Sequence, residues 1–310
     1  MPLPSGGELC YTFPMSCTFA PLCGENVLTL QPFFEKSPYG ICDYTVGAVY
    51  QWRHVYDSYF TAIGGFLCIR AFYDEYGMCY TMPIGDGDWN APFERIECDA
   101  RENGLPLRFA VIPGECLPLF EDRYGDRMRA ESIRDWADYV YDAEAFRTYA
   151  GKALHTQKNH VNRFWREHPD AQCVLIDSEE RYAAVCAFLR QYAEQHPDSS
   201  LLEQNELRGA WDLLMERDRL GQTAACLVEN ERVLAISIGE AQGDMLFVHV
   251  EKALLDVPGA YPAMAQSFVK LFPDVKTVNR EDDGGDAGLR YSKLQYKPKA
   301  LIEKYLVTIE

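Results

Sequence analysis

The second half of the chain carries the clearer alternation of apolar and polar positions. Gln172 to Asp177 (QCVLID) is a short apolar run suited to a buried strand. Ser178, with Glu179 and Glu180 behind it, is a helix start, and Val185, Phe188, Leu189 and Tyr192 recur at helical spacing until His196-Pro197. Leu201 to Leu220 predicts a second amphipathic helix. Thr223 to Val228 and Val233 to Ile238 read as strands joined by a polar turn at Asn230, and Met245 to Glu251 as a third strand after the Gly243 turn. The stretch from Leu254 predicts a helix to about Leu271, ended by Pro273-Asp274. Val275 to Asn279 then reads as a strand, Gly288 to Leu294 as a short helix, and Leu301 to Ile309 as one final strand.

The first half follows the same plan less distinctly. Glu25 to Lys36 and Tyr44 to His54 read as helices; Tyr59 to Ile63, Phe66 to Phe72 and Met78 to Met82 as a meander with turns at Gly64-Gly65 and Glu75 to Gly77. A helix over Trp89 to Glu102, a strand over Arg108 to Ile112 and a helix over Gly114 to Tyr124 follow. Ala137 to Tyr141 is expected to close this sheet. The order in the second half (strand, two helices, three antiparallel strands, helix, strand, helix, strand) is similar to that of the GNAT acyltransferase fold. The expected class is therefore α+β, with tandem GNAT-like domains, each a mixed and mostly antiparallel sheet flanked by helices. The expected division is an N-terminal domain over residues 1–142, a basic helical linker over 143–170 and a C-terminal domain over 171–310.

Composition adds limits. A chain of 310 residues with 47% hydrophobic and 25% charged residues suits two globular domains. No apolar run is long enough to span a bilayer, and residues 1–24 contain no lysine or arginine, so neither a transmembrane segment nor a signal peptide is expected; the expected location is cytoplasmic. The 11 cysteines include no CxxC pair, and the six histidines form no ligand motif, so reduced thiols and no metal are expected. A net charge of −17 argues against DNA. Two basic islands interrupt it: Arg147, Lys152, Lys158, Arg163 and Arg166 in one, Arg290, Lys293, Lys297, Lys299 and Lys304 in the other. Either could be a solvated face or an anion contact.

Several blocks, VHVEKA (Val248 to Ala253), GAY (Gly259 to Tyr261), VNREDDGGDAGLR (Val278 to Arg290) and KLQYKP (Lys293 to Pro298), resemble the carboxy-terminal domain of phosphatidylglycerol lysyltransferases. The upstream YAGKALHTQKNHVNRF (Tyr149 to Phe164) is similar to a basic segment of the same family, and DYTVGAVYQWRHVY (Asp43 to Tyr56) extends the likeness. The resemblance implies a tandem GNAT fold, related to Fem-type transferases, that moves an aminoacyl group from charged tRNA. This chain departs from the family in its acidity, in lacking a membrane-embedded domain, and in reading Gln157-Lys158-Asn159 where Lys-Arg-Asn is usual. Lysine for arginine loses the bidentate phosphate fork.

On a GNAT-like sheet the strands ending at Glu251 and Asn279 would splay to leave a notch for the acyl donor. Phe247, His249 and Glu251 are expected on one face of their strand. Glu251 is a candidate general base or a salt-bridged structural carboxylate, and His249 reads as a core histidine. Asn279 could orient an acyl carbonyl, and Arg280 could bind an anion; the four charges from Arg280 to Asp283 call for solvent or a ligand. GNAT enzymes hold the coenzyme A pyrophosphate at a Gly-rich helix start, of which Gly259, Ala260 and Tyr261 remain here. Tyr291, in RYSKLQY, resembles the tyrosine that protonates the leaving thiolate in acetyl-CoA-dependent enzymes. Lys152, Lys158, Asn159, Lys252, Arg280, Arg290, Lys293 and Lys297 complete the candidate donor contacts. Three functions stay open: transfer from aminoacyl-tRNA to an amine or hydroxyl of a small-molecule or peptide acceptor, acetyl-CoA-dependent N-acetylation, and noncatalytic ligand binding.

Overall fold

The computed structural model describes residues 18–197 and 199–310, so most of the segment read above as lacking a leader lies outside the described residues. In chain order the strands are β1 (Ala20–Pro21), β2 (Tyr59–Ile63), β3 (Phe66–Tyr73), β4 (Gly77–Tyr80), β5 (Ile84–Gly85), β6 (Arg108–Pro113), β7 (Met128–Ser132), β8 (Asp138–Asp142), β9 (Gln172–Leu175), β10 (Thr223–Glu229), β11 (Arg232–Gln242), β12 (Met245–Ala253), β13 (Thr277–Asn279), β14 (Ala300–Ile302) and β15 (Lys304–Ile309). The helices are α1 (Gln31–Phe34), α2 (Val46–Trp52), α3 (Asn90–Glu102), α4 (Leu117–Tyr124), α5 (Ala143–Thr148), α6 (His155–Glu167), α7 (Glu179–Gln195), α8 (Leu201–Glu216), α9 (Ala260–Lys270) and α10 (Ala287–Gln295).

Two mixed sheets result, ordered β1-β2-β3-β4-β6-β15-β7, with β5 paired to β3, and β14-β8-β13-β12-β11-β10-β9. Each is a meander followed by a helix and a strand parallel to the meander's last: β4 beside β6, and β12 beside β13. Both halves thus repeat the GNAT-like plan. Local signals set the helix starts. Ser178 accepts from Arg181 N, Ser200 and Glu203 form a reciprocal capping box, and Asp286 accepts from Leu289 N. Helix α9 begins at Ala260, not Leu254, because Gly259 at its head adopts φ +87°.

Two expectations about the strands are overturned. The Ala137 to Tyr141 segment does not close the first sheet; β8 pairs with β13 and β14 in the second. The stretch from Leu301 to Ile309 is not one strand either. It breaks at Glu303, leaving β14 in the second sheet while β15 crosses to pair with β6 and β7 in the first. Each half lends a strand to the other. Both strands carry a polar residue at a fully buried position, Asp138 and Lys304, and the exchange brings the two within 2.7 Å.

The basic segment between the halves packs on the second of them. Tyr149 Oη donates to Pro262 O at 3.3 Å, and Arg147 donates to Phe272 O and Val275 O at 2.6 and 2.8 Å. A side chain on Gly259 would lie 2.6 Å from His160 O, so α6 and the head of α9 approach as only glycine allows. No described helix is long and apolar enough to cross a membrane.

Candidate functional site

The site is organised by the chain leaving β13. Asn279 is fully buried; its amide donates to Gly40 O at 3.0 Å and Asp138 Oδ2 at 2.8 Å, and its Oδ1 accepts from Glu281 N at 2.7 Å. That last bond helps hold Glu281 at φ +58°, a left-handed conformation costly for a residue with a Cβ. Tyr139 N donates to Glu281 O at 3.1 Å and fixes the same turn. Four consecutive charged side chains then fan into four separate internal clusters. Each has partners within the protein, and Asp282 also keeps 34% of its side-chain surface exposed.

Arg280 enters the notch. Strands β12 and β13 pair only from Met245 to Phe247 against Thr277 to Asn279, and past that point Arg280 Nη2 meets Glu251 Oε1 at 3.0 Å. The pair keeps only 12% and 9% of its side-chain surface exposed. The guanidinium lies over Tyr296 at 4.7 Å, with Phe146 at 5.7 Å and Tyr141 at 5.9 Å. Burial pushes the Glu251 carboxyl above its usual range, against the pull of Arg280 and Lys293. Below the loop, buried Lys293 donates to Arg280 O at 2.6 Å and to Asp282 O. Its amine pins the loop backbone instead of facing a donor.

Glu281 reaches His249. A β-bulge in β12 sets Val250 opposite Ile238 and Val248 opposite Gly239, so the alternation expected through Phe247, His249 and Glu251 is interrupted at the histidine. Its ring, wholly buried, contacts Glu281 at 2.7 Å and Glu240 at 3.0 Å, and Glu240 also accepts from Gly47 N at 2.6 Å. Burial lowers the imidazole's affinity for a proton, but the two carboxylates overcome this and hold it at about 9. A folded value above the unfolded value of about 6.5 means the stabilisation is complete below that pH and lost as pH rises through about 9. The wild-type urea midpoint should therefore fall across this window more than that of His249→Gln, by stability on the order of 3 kcal/mol. Parallel pH profiles for the two proteins would refute the charged assignment.

Asp282 joins the cluster at the strand exchange. Lys304 Nζ lies 2.5 Å from Asp43, 2.7 Å from Asp138, 3.5 Å from Cys42 Sγ and 4.0 Å from Asp282. Lys304 and Asp138 are fully buried, whereas Asp282 and Asp43 keep 34% and 26% of their side-chain surface exposed. Burial, then the neighbouring Asp138 and Asp43, pushes the Asp282 carboxyl up to about 7, against the attraction of Lys304. It can exchange a proton near neutral pH at an edge that water reaches. Donor atoms of Cys42, Asp138 and Asp282 lie within 4.8 Å of one another, a spacing a metal ion could use, but the Lys304 ammonium already lies among them.

Asp283, fully buried, accepts from Arg290 at 2.9 and 2.6 Å, Tyr139 Oη at 2.6 Å and Arg134 at 3.3 Å. Burial opposes its charge, yet the bonds from Arg290 and Tyr139 hold the carboxyl below its usual range. Arg290, read as an anion contact, is committed to Asp283 and to Asp135 at 2.6 Å. Lys252 is likewise buried against Glu206 at 2.7 Å.

The fold does not gather the remaining candidates here. Tyr291 projects outward, 68% exposed, and is not in the notch with Glu251. Ala260 is buried and Tyr261 half-buried at the head of α9. Lys152, Lys158 and Asn159 are exposed around α6, where Asn159 contacts His155 at 3.2 Å, and Lys297 is exposed beyond α10. Sequence reasoning missed Cys42, Asp43 and Asp138, and it read Lys304 only as part of a basic island and Asp282 only as one of four charges at the strand exit. The available signal was a charged residue on an otherwise apolar strand, at Asp138 and again at Lys304.

Two GNAT-like units with exchanged strands define a tandem protein of the GNAT-like fold class. The phosphatidylglycerol lysyltransferase C-terminal family matches residues 34–308, and the chain belongs to that family. Its structure is similar to a conserved protein of unknown function from Bacteroides thetaiotaomicron VPI-5482, with 28% identity, a TM-score of 0.88 and coverage of 94% of this chain and 99% of that one. It shares its fold with L-PGS from Bacillus licheniformis, at 16% identity and a TM-score of 0.62 over 94% of this chain and 93% of that one. An uncharacterized protein of Mycoplasmoides gallisepticum is 23% identical over 174 residues; the match spans 56% of this chain and only 56% of that protein's length.

Proposed function

We propose that the protein transfers an aminoacyl group from aminoacyl-tRNA to the amine or hydroxyl of a small-molecule or peptide acceptor. The observation that carries this reading is the filled notch. Where a GNAT enzyme takes its acyl-CoA thioester, Glu251 and Arg280 form a buried pair among Tyr141, Phe146 and Tyr296. The helix head that would cradle a pyrophosphate is pressed against α6, with no room for a side chain on Gly259. Family membership points to aminoacyl chemistry, since the family is named for a lysyltransferase. Exposed Lys152, Lys158, Arg163 and Arg166 offer phosphate contacts on one segment of a chain whose net charge is −17.

In this reading Asp282 is the general base. Its carboxylate takes the acceptor's proton as the acceptor nitrogen or oxygen attacks the ester carbonyl; the ester C–O bond breaks and the tRNA hydroxyl leaves with a proton. The reading predicts low-salt binding of aminoacyl-tRNA that weakens steeply as salt rises. Lys158→Ala and Lys297→Ala should each reduce the log–log salt slope by about 1. Calorimetry with acetyl-CoA is the opposing arm, and binding at micromolar concentration would overturn the choice of donor.

A further inference from the structure

We propose that Cys42 and Lys304 form an oxidation site in which a single oxygen atom bridges sulfur and nitrogen, covalently tying the turn before α2 to the start of the exchanged strand β15. Cys42 stands on the short turn Cys42–Tyr44 before α2, and Lys304 is the first residue of β15. Their side chains come from positions 262 residues apart, yet Sγ and Nζ are 3.5 Å from each other. Both are held on target. Asp43 and Asp138 fix the ammonium at 2.5 and 2.7 Å, while Cys42 N donates to Asp138 Oδ2 at 2.7 Å. The thiol donates to Asp138 Oδ1 at 3.2 Å, so a carboxylate stands ready to accept the sulfur's proton.

Burial raises this thiol, which slows attack on oxidants in general. Two features favour this cysteine over a merely buried one. The carboxylate at the thiol offers proton removal without a free thiolate, and the part-exposed Asp43 and Asp282 leave the cluster open to a small polar oxidant. The oxidant named is hydrogen peroxide. In the first step sulfur attacks one peroxide oxygen, the O–O bond breaks, and a sulfenic acid and water form. In the second, Nζ loses its ammonium proton and attacks another peroxide, whose O–O bond breaks to leave a hydroxylamine and water; the hydroxylamine oxygen then bonds to sulfur as the S–OH bond breaks and a third water leaves. Overall one thiol, one ammonium and two peroxides give the S–O–N bridge, three waters and one proton; sulfur and nitrogen each lose two electrons, and the peroxides accept all four.

The test is peroxide treatment of the full chain followed by intact and peptide mass spectrometry. The expected product has gained one oxygen and lost two hydrogens, maps to a linked pair of peptides containing Cys42 and Lys304, and reverts on adding a thiol reductant. Cys42→Ser, checked for folding by circular dichroism, should give no linked pair. A Cys42 sulfinic acid with an unlinked Lys304 peptide, a pair linked without the oxygen, or no change at Cys42 would each overturn the proposal. These readouts require no transfer activity, so they stand apart from the assignment of function.

Discussion

Asp282→Asn lowers the aminoacyl-transfer kcat by about 10²–10⁴-fold, the range for loss of a positioned general base. Asparagine keeps the shape, and the side chain it replaces is 34% exposed, so the loss reads as chemistry and not unfolding. The pH dependence makes the expectation sharper. A base must be deprotonated, so wild-type kcat falls as pH drops through about 7, and the residual rate of Asp282→Asn lacks that limb. Stability runs the other way. The folded carboxyl titrates above its unfolded value of about 3.9, so its relative stabilisation is full below that pH and is lost as pH rises through about 7. At pH 8 the asparagine variant should thus be as stable as wild type or more so, by urea denaturation. A variant with unchanged kcat, or with the wild-type pH profile at a reduced rate, removes Asp282 as the base.

Lys304→Met destabilises the protein by about 3–5 kcal/mol, the cost of leaving a buried charge without its partner. Methionine fills similar volume, but Asp138 keeps no exposed surface and would retain no charged partner, just the hydrogen bonds from Cys42 N, the Cys42 thiol and Asn279. The substitution also loosens the point where β15 of the first sheet meets β8 of the second. Urea denaturation at pH 7 should show an earlier midpoint. Adding Asp138→Asn should recover part of the loss, because the stranded carboxylate is then gone. A change below about 1 kcal/mol, as for an exposed pair, would mean that the Lys304–Asp138 pair itself is screened by solvent and is not a core element.

The division between sequence and structure falls along the range of the forces. Helix and strand positions were legible because they depend on neighbours a few residues away. Ser178 caps its helix where the sequence predicts, and Tyr59–Ile63 is a strand with the expected bounds. The family blocks were legible too, and they pointed to the segments around Glu251 and Asn279 as the candidate site. The roles of Arg280, Glu281, Asp282 and Asp283 were not, since these residues find their partners through a left-handed turn at Glu281, among them Glu251, His249 and Lys304 and, for Asp283, Tyr139, 144 residues away along the chain.

The strand exchange shows the limit most plainly. Asp138 to Asp142 and Lys304 to Ile309 each carry an apolar pattern that suits an inner strand of either sheet, so their local sequence names no partner. The sequence by itself determined the two GNAT-like units, the family, and the polar strand exit at the heart of the second unit. Tertiary structure alone decided that the units trade strands, that Arg280 fills the notch, and that Lys304 meets Asp138. The physical reason is desolvation: a buried charge must be matched inside the protein, and only the assembled fold brings the matching group within reach.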